Sequence, residues 1–143
     1  MFVGTHPLSL DDKGRIILPV KFRDALKDGA YVTKSLDGCL GIYTAEDFES
    51  YADELKDKVR RGSVERTAVR TLMAGAAEVT PDRQGRITIP LHLRQFAHLE
   101  GDVVVTGALG RIEIWDKERW LAVDSGADLD FAAARPGLDD IGF

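Results

Sequence analysis

The chain has 143 residues, 44% of them hydrophobic and 30% charged, a composition for which disorder is not the default and which suits one globular domain of ordinary size with a real core. No apolar run approaches the roughly eighteen residues that a membrane span needs, and the N-terminus lacks the basic-then-apolar layout of a secretory signal, so a cytosolic protein without a membrane partner is expected. A net charge of −5 argues against nucleic acid only if it is spread evenly, and it is not.

In chain order, "PLSL" leads through "DDKG" into "RIILP", whose apolar and β-branched residues predict a strand from Arg15 that ends at Pro19. Proline starts helices well, and "VKFRDAL" supplies Val20, Phe22 and Leu26 for a short amphipathic one. The segments "AYVTKS", "LDG" and "CLGIYT" read as a strand, a turn and a strand, with Cys39 as a small buried apolar group. Thr44 is placed to cap a helix that begins near Asp47, along which Phe48, Ala52, Leu55 and Val59 recur at helical spacing. Gly62-Ser63 breaks that helix, and Ser63 is placed to cap another bearing Val64, Ala68, Val69, Leu72 and Met73; both stripes read as core packing.

The order then repeats. "AAEVT", a loop from Pro81 to Gly85, "RITIP", a helix from Leu91, "DVVVTGA" and "RIEIW" follow, and Asp116 is placed to cap a helix with Trp120, Leu121 and Val123. After Ser125 the segment "GADLDFAAARPGLDDIGF" has no sustained period and reads as a weakly held acidic tail.

Laying Gly14-Arg15 over Gly85-Arg86 matches Asp11 with Asp82, Ile16 with Ile87, Leu18 with Ile89, Pro19 with Pro90 and Arg23 with Arg94. With one residue inserted in the second copy, Gly29 falls on Gly101, Ile42 on Ile114, Tyr43 on Trp115 and Phe48 on Trp120. Two units are too few for a solenoid, so a pseudo-twofold pair sharing one core is expected. The units are set at residues 1–74 and 75–124, with the tail at 125–143.

The acidity is local. From Asp124 to Phe143 there are five Asp and one Arg, whereas Asp12 to Arg23 holds Lys13, Arg15, Lys21 and Arg23 against Asp12, and Arg83 to Arg94 holds Arg83, Arg86 and Arg94 with no acid. Both copies of the phrase are thus basic islands. In each, a glycine after two polar residues lets the loop turn tightly, and the arginine emerges at the start of the next strand. Its planar, permanently charged fork suits a phosphate or a guanine edge. Asp11 and Asp82 are placed to orient that arginine or cap the loop amides, which makes Asp11, Gly14, Asp82 and Gly85 the loop-structuring set. One such pair is also explained by a surface ion pair worth ~0 to 1 kcal/mol; two exposed basic loops on one body look more like a binding surface.

The opening "MFVGTHPLSLDDKGRIILPVKFRDAL", the second "DRQGRITIP" and the length resemble the MraZ family of bacterial transcriptional regulators, built from two AbrB-like swapped-hairpin motifs. The resemblance extends to about Val123. It implies an α+β fold in which the two units form a pseudo-twofold β-barrel with peripheral helices, assembled as a homo-oligomeric ring. It also implies sequence-specific binding of double-stranded DNA at short G-rich direct repeats upstream of the division and cell-wall gene cluster, its own promoter included, with repression the expected effect and a nucleoid-associated location. The family's DNA-contacting arginines map onto Arg15 and Arg86, and Lys13, Arg83, Lys21, Arg23 and Arg94 complete the expected DNA-binding set. Gln84 stands where the first copy has Lys13, so unequal contributions from the two loops are expected.

Rival classes find less support. An enzyme is not expected: His6, His92 and His98 are dispersed, no Cys or His cluster has metal-ligand spacing, and the phosphate-cradling glycine motifs are absent, so neither catalytic residues, a metal nor a cofactor is assigned. His92 aligns with Lys21, which favours a solvent- or phosphate-facing position. An antitoxin-like module with an AbrB-like DNA-binding half and a protein-binding tail is the other alternative; such proteins usually carry one motif copy, and this chain carries two.

Overall fold

The computed structural model describes residues 1–134. Its elements run β1 (Thr5–Ser9), β2 (Arg15–Ile17), α1 (Val20–Ala25), β3 (Ala30–Lys34), β4 (Leu40–Thr44), α2 (Ala45–Arg60) and α3 (Arg66–Gly75). The same succession follows as β5 (Ala77–Val79), β6 (Arg86–Thr88), α4 (Leu91–Ala97), β7 (Asp102–Gly107), β8 (Ile112–Asp116), α5 (Lys117–Asp124) and α6 (Ala127–Ala133).

A six-stranded antiparallel sheet in the order β1-β7-β8-β4-β3-β5 is accompanied by a two-stranded ribbon of β2 and β6. The first strand of each unit pairs with the hairpin of the other: β1 lies along β7 from Thr5↔Thr106 to Ser9↔Asp102, and β5 along β3 from Ala30↔Val79 to Val32↔Ala77. Exchanging the two units maps this strand order onto itself. Where the units meet at the centre, repeat-equivalent residues face each other, Ile16 opposite Ile87 in the ribbon and Gly41 opposite Glu113 in the sheet. That is the mark of a pseudo-twofold axis through the ribbon and the middle of the sheet.

The α+β class is as expected, but the described residues form no closed barrel. The sheet is open, with β1 and β5 at its edges. The cause lies in the turns that follow those strands. Asp11 N–H donates to the Arg15 carbonyl and Asp82 N–H to the Arg86 carbonyl, each at 2.9 Å, so the backbone bonds that could extend a ladder close a tight loop instead. β2 and β6 then pair with each other, three residues each, away from the sheet edges.

The ribbon packs on the sheet through one face. Ile16, Leu18, Ile87 and Ile89 are buried in the same cluster as Val32, Ile42, Val103, Val105, Ile112 and Ile114, and Phe22, Leu26, Leu93 and Leu99 from the α1 and α4 regions complete it. At about 25 cal/mol per Å² of apolar area removed from water, this cluster is the main favourable contribution to folding. The other sheet face carries α2 and α5. Tyr31 stacks on Phe48 of α2, Tyr43 on Tyr51, and Trp115 meets Trp120 of α5 edge-on beside Cys39 and Val104. Cys39 is fully buried, and desolvation pushes its thiol up to about 11, leaving it a packing group. Between the two helices, Arg111 donates to Glu113, to the Tyr43 hydroxyl at 3.1 Å and to Ser35 Oγ at 3.2 Å, while Trp115 Nε1 donates to Glu113.

Local signals set the helix ends. Thr44 Oγ1 accepts from Asp47 N–H and Asp116 Oδ2 from Arg119 N–H, both at 3.1 Å, as expected of N-caps. Ser63 does not cap α3. Its amide donates to the Lys58 carbonyl, and that of Gly62 to the Val59 carbonyl, a Schellman ending that spends Ser63 on α2, so α3 starts at Arg66 behind Glu65. In the acidic tail, Ala127–Ala133 is helical, with Asp128 and Asp130 in its first turn where the helix dipole favours them; the rest of the tail, 135–143, lies outside the described residues.

Candidate nucleic-acid interface

The two Asp-x-x-x-Arg loops are built alike. Asp11 Oδ1 accepts from the amides of Lys13 (3.0 Å) and Arg15 (2.8 Å), and its Oδ2 accepts from Arg15 Nε at 2.6 Å. Asp82 Oδ1 accepts from Gln84 and Arg86 amides and its Oδ2 from Arg86 Nε, at 2.9, 2.9 and 2.8 Å. The sequence dictates this geometry: a carboxylate at the loop's start reaches the amides two and four residues on, provided the residue before the arginine turns left-handed. Gly14 and Gly85 do so at φ 75° and 78°. The Arg15 amide is the main influence holding the Asp11 carboxyl below the usual carboxylate range, with the Arg15 side chain and the Lys13 amide assisting against a desolvation cost; Asp82 is lowered in the same way by Arg86 and Gln84.

Each carboxylate therefore grips its arginine by Nε, and no partner occupies the two terminal nitrogens among the described residues. Both arginines stand on the outer face of the ribbon, because their neighbours Ile16 and Ile87 point inward and side chains alternate along a strand. Arg15 is cross-strand from Thr88 and Arg86 from Ile17, so the outer face is a four-residue patch with an arginine at each of two diagonal corners. Ile17 is 52% exposed there. Ile17 and Thr88 were missed in the sequence, although the strict alternation from Arg15 and Arg86 carries the signal.

The remaining basic residues divide. Lys13 and Arg83 are exposed on the loops, and Lys21 on α1. Arg23 and Arg94 are half-buried and cross the axis: the guanidinium of Arg94 lies over Gly14, and that of Arg23 over Gly85, so that a Cβ on either glycine would run into it. Arg94 Nε also donates to the Ile89 carbonyl, while Ile89 N–H donates to the Gly14 carbonyl, both at 2.9 Å. Each loop is thereby braced by the helix of the opposite unit. His92 is exposed, with Nε2 2.8 Å from the Gly75 carbonyl.

The patch presents two orientable, permanently charged forks with an apolar and a hydroxyl side chain between them, on a two-stranded ribbon of the width a duplex major groove admits. Among the described residues no helix is long and apolar enough to cross a membrane.

Comparison with known proteins gives the same family twice over. The family model described as "MraZ protein, putative antitoxin-like" matches residues 1–71 and again 72–136. A protein of Salinispora arenicola named transcriptional regulator MraZ is 44% identical over 138 residues, covering 96% of this chain and 97% of its own. Proteins of the same name from Cutibacterium acnes and Clavibacter michiganensis are 43% and 44% identical, covering 92% and 96% of this chain and 93% and 99% of theirs.

Proposed function

Since this chain belongs to the MraZ family of transcriptional regulators, we propose that it binds double-stranded DNA in a sequence-specific way by laying the β2–β6 ribbon into the major groove. The observation that carries the reading is the pair of carboxylate-held arginines, Arg15 and Arg86, on one outward ribbon face. Each is aimed through Nε, so its free edge meets guanine O6 and N7 already oriented and loses little side-chain entropy on binding. Ile17 contacts a thymine methyl. Lys13, Arg83 and Lys21 meet phosphates, while Arg23 and Arg94 act chiefly through the loops they brace. The operator is a set of short G-rich direct repeats upstream of the division and cell-wall genes, including this gene, and occupancy represses transcription from the nucleoid-associated, cytoplasmic protein.

Direct repeats follow from assembly. Identical ribbons carried by successive copies in a cyclic homo-oligomer, a ring, meet DNA in one orientation, and repeats about 10 base pairs apart present the same face of the duplex. Fluorescence anisotropy on a two-repeat duplex at fixed salt tests this. Losing a bidentate contact worth ~1–3 kcal/mol weakens binding by roughly 5- to 150-fold per site, and Arg15→Ala exceeds Arg86→Ala because Lys13 supports the first loop where Gln84 stands in the second. Inserting five base pairs between repeats rotates one to the far side and weakens binding as well. Wild-type affinity in folded Arg15→Ala would overturn the assignment of the ribbon, and indifference to the insertion would overturn joint reading of the repeats.

A further inference from the structure

We propose that the groove between α2 and α3 is the docking surface for the acidic C-terminal segment, residues 124–143, of a second copy of this chain; this deepens the assembly part of the proposed function and rests on it. The groove has a volume of about 470 Å³. Val59, Val69 and Met73 form its floor, and Lys56, Arg60, Arg66 and Arg70 line its rim. The two helices have strong apolar stripes, yet Phe48 is the only buried residue of α2 and α3 has none. The stripes that look like core packing are thus only half covered within one chain.

Charge singles out the occupant. On the rim, Lys56 leans toward Asp53 at 3.8 Å and Arg60 toward Asp57 at 3.5 Å, whereas Arg66 and Arg70 have no acidic partner among the described residues. The segment 124–143 offers the complement: Asp124, Asp128, Asp130, Asp139 and Asp140 against Arg135, interleaved with Leu129, Leu138, Ile141 and Phe143. Where the structure describes it, on α6, Leu129 is 79% exposed and Asp128 and Asp130 are exposed. Acids meet the cationic rim and apolar side chains meet the floor. A nucleic-acid backbone would satisfy the rim alone and leave Val59, Val69 and Met73 facing charge, so it is the poorer fit.

The topology makes this contact propagate. The groove follows the hairpin of the first unit and the acidic segment follows the equivalent hairpin of the second, so each copy carries one donor and one acceptor. Such a heterologous contact repeats head-to-tail and closes when its rotation permits. Because rim and segment attract through exposed charges, the association weakens with salt.

Sedimentation velocity on the full chain provides the test, with circular dichroism as the check on folding. Wild type is expected above the 15.7 kDa of one chain. Arg66→Glu/Arg70→Glu and Asp128→Lys/Asp130→Lys, all at exposed positions, are each expected to weaken self-association by about tenfold, the scale of one or two lost charge-assisted contacts. The chain carrying all four changes is expected to regain most of it, because the charges are complementary again. A monomeric wild type would overturn the assembly reading and this proposal with it. An assembled wild type that neither reversal disturbs, or four changes together that restore nothing, would overturn the groove alone. Loss of DNA binding in Arg66→Glu/Arg70→Glu at unchanged mass would give the groove to nucleic acid and likewise overturn it.

Discussion

Replacing Gly14 by alanine separates two costs that the loop geometry keeps distinct. Gly14 has φ 75°, and an alanine forced into the left-handed region loses ~1–2 kcal/mol on that account alone. Gly62 provides the control, since it has φ 77° and nothing within 4 Å of an added Cβ. At Gly14 the new methyl would also take the place of the Arg94 guanidinium and break its bond to the Ile89 carbonyl. A hydrogen bond from a charged donor is worth ~1.5–3 kcal/mol, and since Arg94 is only half-buried, water recovers part of it and leaves about 1 kcal/mol. Gly14→Ala should therefore cost roughly 2–3 kcal/mol and Gly62→Ala roughly 1–2. Urea unfolding of wild type, Gly14→Ala, Arg94→Ala and the double variant, all at one protein concentration, gives a cycle with a coupling of about 1 kcal/mol. Equal losses at Gly14 and Gly62, or a coupling within the ~0.3–0.5 kcal/mol expected of independent sites, would refute the bracing of one unit's loop by the other's helix.

Two further outcomes follow from the electrostatics. Asp11 and Asp82 have folded pKa values below the roughly 3.9 of an unfolded aspartate, so their contribution is complete above that pH and is lost as pH falls through the lower folded values. The amide resonances of Arg15 and Arg86 should accordingly stay constant from neutral pH to about pH 4 and titrate with midpoints below it; a midpoint at or above the unfolded value contradicts the loop hydrogen bonds. Arg111→Ala leaves Glu113 without its cation and deprives Tyr43 and Ser35 of a donor. Breaking a fully buried pair costs ~3–5 kcal/mol; the Arg111 side chain keeps 24% exposure, so roughly 2–3 kcal/mol is expected in urea unfolding, and a loss under about 0.5 would refute a structural role for the network.

What could be read from the sequence was what nearby residues decide. Thr44 and Asp116 act on amides three residues away, and Pro19 and Pro90 act on the residues beside them, so the caps and helix starts were legible. The repeat itself announced a pseudo-twofold pair, and the equivalences Ile16 with Ile87 and Ile42 with Ile114 hold in the folded chain, both sets lying in one core. The exchange of first strands was not legible, because β1 and β7 are brought together by tertiary pairing that no local propensity encodes. Arg111 was missed for the same reason: its partners Tyr43 and Ser35 lie 68 and 76 residues away. A serine after glycine suits both a helix end and a helix start, so the sequence leaves Ser63 ambiguous, and its amide bond to Lys58 gives it to the end of α2. In the candidate interface, a carboxylate four residues before each arginine and a glycine just before it are local features of the sequence, and the amide hydrogen bonds and left-handed glycines they form depend on neighbours alone. That Arg23 and Arg94 cross to the opposite loop depends on the symmetry axis, which only the fold reveals.

The connection through Gly62 and α3 turns what could be a pair of identical subunits into one covalent chain, and that removes a constraint. Two separate copies related by a true dyad must carry the same side chain at both ends of the ribbon, and can only favour a target that looks the same from either direction. Here each end has departed on its own: Asp12 answers to Arg83, Lys13 to Gln84 and Ile17 to Thr88. The scaffold keeps the symmetry because buried isoleucines on the axis enforce it, while the exposed corners are released from it. A single molecule of this kind has a direction, and under the proposed function the two ends of a short stretch of DNA laid along the ribbon would meet different side chains without a second protein to break the tie.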